Sequence, residues 1–183
     1  MLDSFLVEHC SPTLASIKMG NIFTYFYKNT KELYDYVSDI KNRLQSKGIC
    51  IEILSIRDNS AIIYVYRKSA LLSRLNEKEV QTFLAGYGYN SFNPDECLAV
   101  LKSRLCAENG FPHEIGIFIG YPLGDVIGFI EHNGRGSKYS GYWKVYCNEA
   151  ETIRLFERFK KCKRIYSRLF AEGRSILQLT VTA

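Results

Sequence analysis

Residues 116–130 read GIFIGYPLGDVIGFI, with glycines at positions 116, 120, 124 and 128. Glycines four apart suit three different structures: a lipid-embedded packing face, a phosphate-cradling loop, or a core strand that turns into a helix. The first needs roughly twenty consecutive apolar residues, whereas Glu114 and Asp125 bracket a much shorter run that Pro122 interrupts. The second needs GxxxxGK[ST] or GxGxxG, and neither occurs here or at Gly134-Arg135-Gly136. The third is therefore expected: a strand over residues 115–119, a Gly-Tyr-Pro turn, and a helix entered at Pro122. Proline costs no hydrogen bond at a helix start, and Asp125 in the first turn suits the positive end of the helix dipole. Gly124 and Gly128 are then expected to let the helix lie close on a sheet.

Working outward, four asparagines are each followed three residues later by glutamate: Asn29 and Glu32, Asn76 and Glu79, Asn93 and Glu96, Asn148 and Glu151. The amide oxygen can accept a free N–H of a first helical turn, so each pair predicts a helix start. The second pair interrupts a longer helical region beginning near Ser69. Leu33, Val37, Ile40 and Leu44 form a helical stripe that stops at Gly48, and a third helix runs from Asn93 through Leu98, Leu101 and Leu105 to a stop near Asn109-Gly110. Residues 49–56 and 61–67 are β-rich runs separated by Arg57-Asp58-Asn59-Ser60, a hairpin signature. Residues 22–27, 142–146 and 175–181 read as further strands. Strands alternating with helices favour a more parallel second half, whereas the hairpin demands antiparallel pairing. The expected fold class is α+β, a single mixed sheet with an N-terminal hairpin, a more parallel C-terminal half and helices packed on it.

At 183 residues the chain has the length of a single domain spanning residues 1–183, able to bury a sizeable core without metals or crosslinks. Hydrophobic residues at 46% and charged residues at 23% argue against disorder. No basic leader followed by an apolar run precedes Glu8, so a cytoplasmic protein is expected. The six cysteines form no CxxC pair, and they read as reduced, mostly buried small hydrophobes.

The strings GIFIGYPLGDVIGFI, SGYWKVY at 140–146, FERFKKCKRIYSRLF at 156–170, GRSILQLTV at 173–181 and EHCSPTLASIK at 8–18 carry a resemblance that spans essentially the whole chain. In them the chain resembles the family called domain of unknown function 3793. That resemblance implies a small bacterial protein and brings no activity or catalytic residues with it.

Three groups of residues are candidates for function. His113, Glu114, Tyr121, Asp125, Lys144 and Tyr146 converge if residues 115–119 and 142–146 are parallel neighbours, because ligands sit beyond the carboxyl ends of such strands. A polar small molecule would fit between the loop at 120–125 and the strand at 142–146. In that strand, Trp143 and Val145 should face one side and Lys144 and Tyr146 the other. Alternatively, the aromatic residues fill the core and Asp125 is a helix-start acid. The second group is Cys10 with His9. A thiol at the start of a Pro12-led helix beside a histidine could be a nucleophile, although adjacent residues point apart on most backbones. Lys144 and Tyr146 could likewise serve proton transfer. The third is the helix over 149–172, whose Arg154, Arg158 and Lys161 concentrate much of the formal +5 charge. It could meet an anionic partner, or it is simply a solvated face; no nucleic-acid motif accompanies it. His9, His113 and His132 are far apart in sequence, so no metal site is read, and no particular cofactor is indicated. The leading expectation is a cytoplasmic small-molecule-binding or accessory protein, with an enzyme and an interaction module as the alternatives.

Overall fold

The structure is a computed structural model that describes residues 2–107 and 110–182. Helix α1 (Leu2–Leu14) leads into β1 (Gly20–Phe26), α2 (Thr30–Leu44) and a hairpin of β2 (Ile49–Arg57) and β3 (Ser60–Arg67). The three strands form one antiparallel sheet in the order β1-β3-β2. The apolar run AIIYVY in β3 follows from its central place, because both its faces are covered. Ala61, Ile63 and Val65 pack with α1 and α2, while Tyr64 and Tyr66 pack on the opposite side. The hairpin turns at Asp58, whose φ of 48° lies in the left-handed region that aspartate tolerates.

On the first face, Leu33, Val37, Ile40 and Leu44 of α2 are buried as one stripe, and the helix gives way to a 3-10 turn ending at Gly48 with φ 75°. The second face carries α3 (Lys68–Leu75), α4 (Lys78–Ala85), α5 (Pro94–Cys106), α6 (Ile115–Phe118) and α7 (Leu123–Glu131). A two-stranded antiparallel ribbon, β4 (Tyr139–Ser140) and β5 (Lys144–Val145), comes next, followed by α8 (Glu149–Ala171) and α9 (Ile176–Leu179). Trp143 and Val145 of the ribbon pack on Phe156 and Phe159 of α8, and α8 in turn packs on α1. Arg67 closes the first layer: buried at the end of β3, it donates to the carbonyls of Thr13 and Leu14 at the end of α1 (2.8 Å each) and of Val181 (2.9 Å). Thr13 O and Leu14 O also accept from Ser16 N–H at 3.1 Å and Val181 N–H at 3.0 Å, so the end of α1 is tied by backbone and side chain together.

The α+β class is as expected, but the expected single mixed sheet is not formed. Every strand pairing among the described residues is antiparallel, and the ribbon is separate from the main sheet. Residues 115–119 are a buried helical turn rather than a strand. A short apolar run does not distinguish the two by periodicity. Enclosed between the sheet and α7, this one satisfies its own backbone, with Ile117 N–H donating to Glu114 O at 3.0 Å and Ile119 N–H to Ile115 O at 3.2 Å. Within residues 175–181 the expected strand is replaced by α9 (Ile176–Leu179), started by Ser175 and Gln178 in a reciprocal capping box. Of residues 142–146, only 144 and 145 pair, yet the expected alternation appears: Trp143 and Val145 are buried, Lys144 exposed and Tyr146 half-buried.

Asn29 and Asn93 cap their helices, accepting the N–H of Lys31 and Asp95. Asn76 instead ends α3, which breaks the helical region there, and Asn148 precedes α8 in a left-handed conformation with no side-chain cap bond. The expected stop at Asn109 lies outside the described residues.

Candidate functional site

The spaced glycines build the corner on which the site rests. A Cβ at Gly116 would lie 2.8 Å from Val126 Cγ2, so its absence lets α6 and α7 touch. Gly120, at φ 83°, makes the turn between them. Gly124 and Gly128 admit a close approach as well, but of the segment leaving β5 rather than of the main sheet. Their Cβ atoms would meet Cys147 Sγ at 2.8 Å and Tyr146 Cγ at 2.6 Å.

Pro122 precedes α7 and places Asp125 in its first turn. The carboxylate is 2% exposed and accepts three hydrogen bonds, from Trp143 Nε1 at 2.7 Å and from the backbone N–H groups of Tyr146 and Cys147 at 2.8 Å each. It thus clamps the ribbon onto α7. Tyr121 adds a second tie, its hydroxyl donating to Tyr142 O at 3.1 Å and its ring stacking on Trp143 at 4.6 Å. Burial pushes the Tyr121 phenol up to about 12.

Between β1, α6, α7 and the ribbon lies a cavity of about 380 Å³, within the size range of small-molecule sites, ~300–1,000 Å³. Ile22, Ile119, Val126, Phe129 and Trp143 supply apolar wall. His113, Ser140 and Lys144 also line it and are exposed to solvent. The His113 ring lies 4.9 Å from that of Phe129 and 5.8 Å from that of Phe111. Lys144 donates to Gly134 O, and Ser140 is its cross-strand partner in the ribbon.

Four of the six residues expected in one cleft, His113, Tyr121, Asp125 and Lys144, therefore line one cavity, although the parallel strands that were to gather them do not exist. Glu114 points elsewhere: 1% exposed, it is ion-paired with Arg104 and accepts from Tyr89 Oη at 3.3 Å. Tyr146 packs over Gly128 and stacks on His132 at 5.7 Å, apart from the cavity lining. Its hydroxyl is buried without a partner among the described residues. Tyr146 and Lys144 thus face different surroundings, and no hydrogen bond among the described residues joins them for proton transfer.

Cys10 is not at a helix start. Helix α1 begins at Leu2, and Leu2, Leu6, Cys10 and Leu14 form its buried stripe, with Pro12 in the last turn. The thiol is fully buried, and desolvation pushes it well above the ordinary thiol range. The His9 ring stacks on Phe23 at 5.3 Å. Arg154, Arg158 and Lys161 are exposed along α8. Among the described residues, no three His, Cys, Asp or Glu side chains are grouped to hold a metal ion.

Sequence reasoning missed Ile22, Phe111 and Phe129 as cavity residues. They come from β1, the segment after α5, and α7, and no local pattern marks an apolar side chain as facing a cavity rather than a filled core.

The family model described as protein of unknown function (DUF3793) matches residues 6–180. No curated protein and no solved structure matches the chain.

Proposed function

Because the chain belongs to that DUF3793 family, whose description assigns no activity, we propose a function from the geometry alone: a cytoplasmic small-molecule-binding protein whose ligand occupies the cavity between α6, α7, β1 and the ribbon. The observation that carries this reading is the cavity's construction. It is concave, mostly apolar and edged by a few polar groups, as small-molecule sites are. The walls are preorganised, because Asp125 and Tyr121 hold Trp143 in place before any ligand arrives, so little ordering cost remains for binding. A cytoplasmic setting suits the six unpaired cysteines, and no helix among the described residues is long and apolar enough to cross a membrane.

A thermal-shift screen of metabolite-sized compounds tests the placement. A true ligand at a hundredfold its Kd should add about 2.7 kcal/mol of stability. Ile22→Phe, at a half-buried cavity position, should abolish the shift given by any such compound, whereas Arg158→Glu on the exposed side of α8 should leave it intact. Shifts that survive Ile22→Phe unchanged would place the ligand elsewhere.

A further inference from the structure

The charges around the cavity are unequal. Two carboxylates come near it in sequence, and both are already committed: Asp125 to three N–H donors, and Glu114 to Arg104 and Tyr89. The lysine has not been used up in this way. Lys144 gives one of its three N–H donors to Gly134 O, which leaves two for a ligand. His113 and Ser140 add further donors on the same lining, and Lys144 forms no ion pair among the described residues. The opposite end of the chemistry is the apolar wall of Ile22, Ile119, Val126, Phe129 and Trp143.

Resting on the ligand-binding reading above, we infer that the cavity takes a hydrophobic monocarboxylic acid. Its aromatic or short aliphatic body lies against Trp143 and Phe129, and its carboxylate meets the Lys144 ammonium, with Ser140 Oγ and His113 as supporting donors. A charge-assisted hydrogen bond at the edge of an apolar site holds an anion in one orientation, and it disfavours an uncharged ligand of the same shape. A cation as headgroup would meet Lys144 with no free carboxylate among the described lining residues to offset it. At about 380 Å³ the space has room for an acid of this kind.

Trp143 makes the experiment direct, because it is the chain's single tryptophan and lines the cavity. The full chain is titrated with 4-phenylbutyrate and with 4-phenylbutyramide, and tryptophan emission is followed. The acid should bind at least about tenfold more tightly than the amide, the counterpart of about 1.4 kcal/mol. Lys144→Gln, an exposed substitution, should remove most of that preference by weakening the acid while leaving the amide unchanged. Its thermal unfolding should match the parent chain. If acid and amide bind equally, or Lys144→Gln leaves the acid unaffected, the acid inference fails and the pocket itself stands. Should neither probe alter Trp143 emission in the parent chain, the acid inference fails as well, while the ligand-binding reading is decided separately by the thermal-shift screen with Ile22→Phe.

Discussion

Asp125 shows how one side chain decides whether the site exists. A carboxylate at a helix start is ordinarily a solvated partner of the dipole, but here it is buried and receives an indole N–H and two backbone N–H groups from residues 143–147. Removing it leaves three donors without an acceptor: a buried unpaired donor such as the indole N–H costs about 1–3 kcal/mol, and the two part-buried backbone N–H groups, which water can reach, cost less. Asp125→Ala should therefore destabilise the chain by about 3 kcal/mol. For a chain of this length that is a fall in Tm of roughly 6–12 °C, readable by calorimetry. Trp143 emission should shift to the red as the indole gains water. A variant with parental Tm and emission would show that the ribbon is held by something else. The sequence identifies Asp125 as a first-turn acid and as a site candidate. It does not reveal the partners, because they lie 18–22 residues away with nothing local to mark them.

Among the elements, α7 and the ribbon form the unit that matters for binding, and glycine sets their separation. At Gly128 an added Cβ would sit within 3.1 Å of three atoms of Tyr146. The half-buried tyrosine, stacked on His132, has little room to retreat. Gly128→Val should push the segment after β5 away from α7, stretch the Asp125 hydrogen bonds and weaken binding of every cavity ligand. The expected cost of such overpacking is about 1–3 kcal/mol, measured by denaturant unfolding. Preserved stability together with preserved ligand affinity would show that α7 and the ribbon do not need this approach. The glycine spacing was legible as close packing, and the helix after Pro122 was legible from its start signals. The partner was not: a glycine records that something comes near, not what.

At the scale of the molecule, Lys18 joins three elements. It follows α1, its ammonium donates to Gly20 O at the start of β1, and it lies 5.5 Å from the centre of the Tyr121 ring beyond α6. Buried, and without a carboxylate partner among the described residues, it is pulled down by desolvation from the ordinary lysine value of 10.5 to about 7. The unfolded chain therefore holds a proton that the folded chain releases between these two values, and stability from this group rises with pH across that window. Above pH 9 the buried Cys10 thiol acts in the opposite sense, since the folded state keeps a proton that the unfolded state loses. The clean window is pH 7 to 9. Lys18→Met should be more stable than the parent at pH 7, and its advantage should shrink toward pH 9 by up to about 1.4 kcal/mol per pH unit. An advantage that stays constant with pH would mean Lys18 keeps its proton throughout.

Local signals carried much of the architecture. The α2 stripe, the β2–β3 hairpin, the caps at Asn29 and Asn93 and the long basic helix follow from periodicity and turn chemistry, which act over a few residues. Those same rules set the α+β class, whereas the grouping of His113, Glu114, Tyr121, Asp125, Lys144 and Tyr146 came from an expected parallel strand pair that is not formed. Tertiary packing alone decided that residues 115–118 coil rather than extend, because an enclosed apolar segment without a strand beside it must satisfy its own N–H and C=O groups, whereas residues 176–179 coil on a local capping box, Ser175 with Gln178, that the strand reading passed over. It also decided which acids are spent and which cation is left over, since hydrogen-bond partners far apart in the chain meet only when the layers close.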